Sequence, residues 1–214
     1  MTAHPDVSVD ELRGAIVEGL QRAVDGLNAP YAAPLRRHPR AEGDVYDAAV
    51  LCLGLGRIGG AETKTLPCAL TLGLLEETGR IFLGLEDGST IIDAWGMPRT
   101  LNAADGLYAL GRHLLLTHEA LDAESRLAAL SVYDGASRDF SEALQAWAPE
   151  GTAGLQKAAR SLHPAAASFA ALCCGTEGET RDRLVALASA PRDDASGSLE
   201  NVFVKASGLL LRGA

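Results

Sequence analysis

Two apolar stretches constrain this chain more than anything else in it. Residues 44–58 run into "VLCLGLGRIGG" (Val50 to Gly60), and residues 66–87 contain "LPCALTLGLLEETGRIFLGL". Both are Ala/Leu-rich and nearly continuous in apolar character, which suits helices buried on most sides. Such helices need a wrapping, and the flanking sequence supplies it. "SVDELRGAIVEGLQRAVDGL" opens with Ser8 and has Glu11 three residues later, a capping box. Its Leu12, Ile16, Leu20, Val24 and Leu27 keep a three-to-four spacing, the mark of an amphipathic helix. Helical periodicity continues over 100–118, 122–148, 152–174 and 178–190. β-branched and aromatic residues never cluster in alternating strands. The pattern predicts one all-α domain over 1–214. Residues 28–43, with their prolines, form a loop, and 191–214 form a poorly defined tail with a turn and one short helix.

The glycines of Gly54-Leu55-Gly56-Arg57-Ile58-Gly59 satisfy G-x-G-x-x-G. In a dinucleotide-binding unit that motif follows a strand, opens a helix and leads to a second strand ending in an acid. Glu76 and Glu77 stand at a suitable distance. However, Pro67 falls where the crossover helix would be in full flow, and proline there removes a backbone bond and clashes. No further βαβ unit follows. A nicotinamide site is therefore set aside. Gly59-Gly60 is read as a helix end and turn, with Pro67 near the first position of the next helix.

Charge and side-chain inventory exclude several other classes. A formal net charge of −9 argues against a nucleic-acid binder, which needs clustered Lys and Arg. The one basic cluster, Arg36-Arg37-His38-Pro39-Arg40, reads as a solvated loop. The N-terminus has no basic region leading into an apolar core, so no signal peptide is expected. No apolar run reaches the length of a membrane span. Cys52, Cys68, Cys173 and Cys174 form no C-x-x-C pair and read as small buried hydrophobes of a reducing cytoplasm. The adjacent pair Cys173-Cys174 also allows a redox role. The five histidines have no metal-ligand spacing; His113 and His118 fall on different helix faces.

"AWGMPRTLNAADGLYALGRHLLL" (Ala94 to Leu116) carries a resemblance. It looks like the segment of the polyprenyl synthetases in which a Tyr/Trp-Gly, a Pro and an Asn-Ala-Gly-Asp run open a core helix. "TLPCALTLGLLEE" is similar to the family helix leading into its first metal-binding motif. More loosely, "YDGASRDFSEALQAW" and "HPAAASFAALCCG" resemble the helices with the family's Gln and Lys-Thr signatures. The likeness spans roughly residues 10–175. It implies an isoprenoid-synthase-like helical bundle, truncated relative to the full family fold, with the last helices absent or abbreviated.

The resemblance also implies a chemistry. In these trans-isoprenyl diphosphate synthases, two Asp-rich motifs hold Mg²⁺, which binds the diphosphate of an allylic substrate and helps it leave. Mg²⁺ takes oxygen ligands, mostly carboxylates and water, and arginines or lysines complete the anion clamp. This chain departs from that pattern. The first aspartate pair falls on Leu83-Gly84, and the loop before Trp95-Gly96 is shortened, leaving Glu86-Asp87 as its acidic remnant. The Gly-Lys-Arg cluster has no match, although Arg36, Arg37 and Arg40 stand at a similar place. The Lys-Thr position falls on Pro164-Ala165, and the Gln position near Leu144 or Gln145. Of the second Asp motif, only Asp193 and Asp194 remain, after Pro191.

Two readings follow. In one, the chain is a non-catalytic polyprenyl-synthetase-like subunit or regulator, paired with itself or with an active prenyl diphosphate synthase. It then has no catalytic residues and no cofactor, Mg²⁺ entering only if Glu86, Asp87, Asp193 and Asp194 still hold a diphosphate. In the other, a divergent isoprenoid transferase or apolar-ligand-binding protein uses a helical cavity. The small residues Ala103, Ala104, Gly106 and Ala109, with Ala165, Ala166, Ala167, Ala170 and Ala171, then either line that cavity or allow close helix packing. Asp105 and Arg112, seven apart on one face, are the polar groups expected to point inward.

Overall fold

The structure is a computed structural model in which residues 7–25, 46–87, 96–190 and 198–210 are described. Every regular element among them is helical. In chain order these are α1 (Val9–Asp25), α2 (Asp47–Ile58), α3 (Glu62–Asp87), α4 (Met97–Leu116), α5 (Ala123–Trp147), α6 (Thr152–Ala159), α7 (His163–Cys174), α8 (Gly178–Ser189) and α9 (Leu199–Leu210). Short 3₁₀ turns at Ala148–Glu150 and Arg160–Leu162 lead into α6 and α7.

α2 and α3 are the centre, as their composition demands. In α2 every residue but Asp47 and Arg57 is buried. α3 packs on α2 and most extensively on α4, and also touches α1, α5, α6 and α7. Leu51, Leu53, Leu55, Leu72, Leu74 and Leu75 are almost wholly enclosed. Each such side chain contributes about 1.5–3 kcal/mol relative to exposure. α1 lies over this pair with Leu12, Ile16, Leu20 and Val24 turned inward. Ser8 Oγ accepts from the Glu11 N–H at 3.4 Å, which realises the N-terminal half of the capping box.

Gly54 and Gly56 of the dinucleotide-like motif lie inside α2, Gly59 caps its C-terminal end, and all three serve packing. A Cβ at Gly54 would collide with the Phe203 ring of α9, one at Gly56 with the Thr65 side chain, and one at Gly59 with Cys174 Sγ. Gly60 then turns the chain at φ +71°, in the left-handed region glycine favours. Arg57 closes the turn from outside through ion pairs to Glu62 (2.7 Å) and Glu11 (2.9 Å).

Two boundaries differ from the sequence reading, and the short helix expected in the tail is present. α3 begins at Glu62, so Pro67 sits within the helix instead of near its first position. As the sixth residue of α3, Pro67 lies beyond the four N–H groups that lack an intrahelical partner, so the helix forgoes the one bond that position would donate. The stretch 152–174 is broken at Arg160–Leu162, where Pro164 enters the first turn of a new helix. The tail forms α9, which buries Leu199, Val202, Phe203, Ala206 and Leu210 against the core. No helix among the described residues is long and apolar enough to cross a membrane.

Candidate functional site

A pocket of about 240 Å³ opens between α3, α4 and α5. Helical spacing builds it. Leu75, Thr78, Gly79 and Phe82 come from one face of α3, and Ser137, Phe140, Ser141 and Leu144 repeat that i, i+3, i+4, i+7 pattern on α5. Ala104, Asp105 and Tyr108 of α4 form the third wall. Gly79 matters here because a Cβ would stand 2.6 Å from Phe140 Cζ, so only glycine lets that ring rest on α3.

Two of the wall hydroxyls are committed to the protein. Thr78 Oγ1 donates to the Leu74 carbonyl at 2.9 Å, and Ser141 Oγ donates to that of Ser137 at 2.8 Å. Tyr108 stacks on Tyr133 with ring centres 5.4 Å apart. Tyr133 in turn donates to the Tyr108 carbonyl at 3.0 Å, and burial raises its phenol pKa. Asp105 supplies a carboxylate at the exposed rim. Among the described lining residues there is no lysine or arginine.

A second polar constellation occupies the opposite face of α3. At 3.6 residues per turn, Glu76, Glu77 and Arg80 point away from the pocket-lining residues. Both glutamates are buried. Tyr46, which precedes α2 in a left-handed conformation (φ 63°, ψ 30°), meets them. Its N–H donates to Glu76 Oε2 at 3.0 Å and its hydroxyl to Glu77 Oε1. Arg80 pairs with Glu77, lies 3.9 Å from Glu76 Oε2, and stacks over the Tyr46 ring at 5.0 Å. Glu76 Oε1 and Glu77 Oε2 have no hydrogen-bond partner.

Burial pushes the Glu76 carboxyl up to about 8, opposed by the Arg80 charge. Burial also raises the Tyr46 phenol, helped by the neighbouring Glu77 carboxylate. For Arg80, burial opposes the charge, but the two carboxylates outweigh it and hold the guanidinium above its ordinary range. At neutral pH the cluster therefore stores a proton on Glu76. Its sequence signal was two acids inside an otherwise apolar helix, with an arginine three and four residues on. Buried charges of that kind are almost always paired.

The residues singled out from the sequence are scattered. Glu86 and Asp87 fall in the last turn of α3, one turn beyond Phe82. Asp193 and Asp194 lie outside the described residues, as do Arg36, Arg37 and Arg40. Leu83, where the resemblance puts an aspartate, is buried and apolar. Asp105 reaches the pocket, but Arg112 does not. Arg112 binds Asp134 at 2.6 Å on the surface, because α5 offers a carboxylate there. Ala165, Ala166, Ala167, Ala170 and Ala171 are buried where α7 meets α2 and α8, so those small side chains serve close packing. On α4, Ala104 lines the pocket while Ala109 is exposed. No three or more His, Cys, Asp or Glu side chains among the described residues are placed to hold a metal ion.

No protein-family model and no curated protein matches the chain. Solved structures do. A geranylgeranyl pyrophosphate synthetase from the archaeon Geoglobus acetivorans superposes with a TM-score of 0.69 at 17% identity, over 85% of this chain and 65% of that one. A polyprenyl synthetase from Streptomyces coelicolor A3(2) gives 0.67 at 20% identity, over 84% and 61%. A geranylgeranyl pyrophosphate synthetase from Pyrococcus horikoshii Ot3 gives 0.66 at 16%, over 85% and 61%. The chain thus has the all-α fold of these synthases and spans about three fifths of their length.

Proposed function

We propose that this polyprenyl-synthetase-like fold acts in isoprenoid metabolism without catalysing prenyl transfer, as a subunit or regulator pairing with itself or with an active prenyl diphosphate synthase. One observation carries the reading. Where the fold's resemblance places a diphosphate clamp, α3 presents buried Leu83, and the adjoining pocket has a single carboxylate and no cation among its described lining residues. A diphosphate needs several charge-assisted bonds, and losing even one transition-state contact of that kind costs about 3–4 kcal/mol. Met97 and Leu101, exposed one turn apart on α4, are an apolar pair that a partner would cover under this reading.

The pocket supports a second reading, an apolar-ligand-binding protein, since Leu75, Phe82, Phe140 and Leu144 line it. Its 240 Å³ falls below the roughly 300–1,000 Å³ of ordinary ligand sites, so it suits a short apolar group better than a long chain. Purified protein, alone and mixed with an active prenyl diphosphate synthase, separates the readings. Under the subunit reading, the protein alone transfers no prenyl group, and it elutes as an oligomer with itself or with the synthase. Prenyl transfer by the protein alone overturns that reading. A strict monomer that carries an extractable apolar molecule establishes the second one.

A further inference from the structure

The four cysteines converge on one corner of the bundle, and the pairing they adopt is not the adjacent one. Cys68 of α3 and Cys173 of α7 bring their sulfurs to 3.8 Å across 105 positions of sequence. Cys173 directs its S–H at the Lys64 carbonyl, 3.4 Å away, so Cys68 is the donor between the two sulfurs. His118 of the loop after α4 donates Nε2–H to that same carbonyl at 2.6 Å, fixing it in place. Cys174 packs over Gly59, and Cys52 of α2 lies within electrostatic reach of both Cys173 and Cys174.

The two sulfurs are not equivalent. Cys68 is wholly enclosed, whereas Cys173 keeps 5% of its surface exposed. The Cys68 S–H donated to Cys173 lowers the Cys173 thiol, with the nearby Lys64 charge adding to it, against the opposing effect of burial. The same hydrogen bond and burial push Cys68 well above the ordinary thiol value. The thiolate is the form that peroxides attack, so the asymmetry orders the two residues.

We propose that Cys68 and Cys173 form a peroxide-reactive thiol pair, in which Cys173 is oxidised first and Cys68 resolves it into a disulfide joining α3 to α7. In the first step, Cys173 sulfur attacks hydrogen peroxide, the O–O bond breaks, and Cys173 sulfenic acid and water form. In the second, Cys68 sulfur attacks the sulfenic sulfur, the S–O bond breaks, and a second water leaves with the Cys68 proton. Two thiols are oxidised by two electrons in total, and one peroxide is reduced. The crosslink ties down α3 two turns before its first pocket residue, Leu75.

The experiment treats the folded, reduced protein with hydrogen peroxide, blocks the remaining thiols and maps peptides without reduction. The expected product is a Cys68–Cys173 disulfide with Cys52 and Cys174 still alkylatable after unfolding, reversed by dithiothreitol. The C68S variant should stop at a Cys173 sulfenic acid that dimedone labels, and C173S should give neither product. A Cys173–Cys174 disulfide, irreversible Cys173 sulfinic acid with Cys68 unchanged, or four intact thiols after peroxide would each overturn the pairing. If C68S does not fold, the wild-type peptide map decides alone.

Discussion

Phe140 of α5 rests its ring on the bare backbone of Gly79 in α3, with the ring edge 2.6 Å from where a Cβ would stand. That contact holds two pocket walls together and sets the size of the space between them. Gly79→Ala forces the ring or the helix to move, and overpacking of this kind costs roughly 1–3 kcal/mol. A drop in the urea midpoint of that order is expected. A variant as stable as the parent would mean that Phe140 does not seat on α3.

Arg80 is the only positive group that Glu76 and Glu77 touch among the described residues. Arg80→Ala leaves two carboxyl groups enclosed with Tyr46 alone, and breaking a buried pair on one side costs about 3–5 kcal/mol. Denaturant unfolding should show the largest loss of any single substitution proposed for this protein. Tyr46→Phe removes one donated hydrogen bond and should cost less, on the order of 1 kcal/mol.

Glu76 gives the fold a pH dependence with a definite sign. Its folded value of about 8 lies above the ordinary 4.5. Between those values the folded chain holds a proton that the unfolded chain has released, so stability falls as pH rises. The contribution is whole below about pH 4.5 and gone above pH 8. The size is a few kcal/mol, on the scale of ~1.4 kcal/mol per pH unit. Glu76→Gln should flatten this slope; urea midpoints measured from pH 5 to 9 would show it. Equal slopes in both proteins would mean that Glu76 ionises in the folded state as it does in water.

Much of the architecture could be read from the residues, because period and burial coincide in it. Leu12, Ile16, Leu20 and Val24 were expected on one face of α1 and are buried there. Gly59-Gly60 forms the helix end and turn that the sequence suggests. Gly54 and Gly56 do something the pattern did not contain: they receive Phe203 and Thr65 from α9 and α3. The Gly54–Phe203 contact joins elements far apart in sequence, and neither it nor the Gly56–Thr65 contact is recorded by any local period. The Tyr46 cluster was missed for the same reason. Its partners lie 30 and 31 positions away, and its left-handed backbone leaves no mark in the hydrophobic pattern. Asp105, expected to point inward, lies exposed at the pocket rim, and Arg112 on the same helix binds Asp134 on the surface.

Trp147 and Lys157 test the packing at the far end of α5. The Lys157 ammonium lies 4.5 Å from the Trp147 ring centre and 2.6 Å from Glu150 Oε2. Both partners are partly exposed, so Lys157→Ala should cost no more than about 1 kcal/mol, and the loss should shrink in high salt. A salt-insensitive loss would point to packing of the lysine stem instead.

Whether this fold clamps a diphosphate is read by titrating the purified protein calorimetrically with geranyl and farnesyl diphosphate, with and without Mg²⁺. No Mg²⁺-dependent binding of either compound is expected. Binding that appears only with Mg²⁺ would contradict that expectation, and would mean that Glu86, Asp87, Asp193 and Asp194 still assemble a metal-diphosphate site.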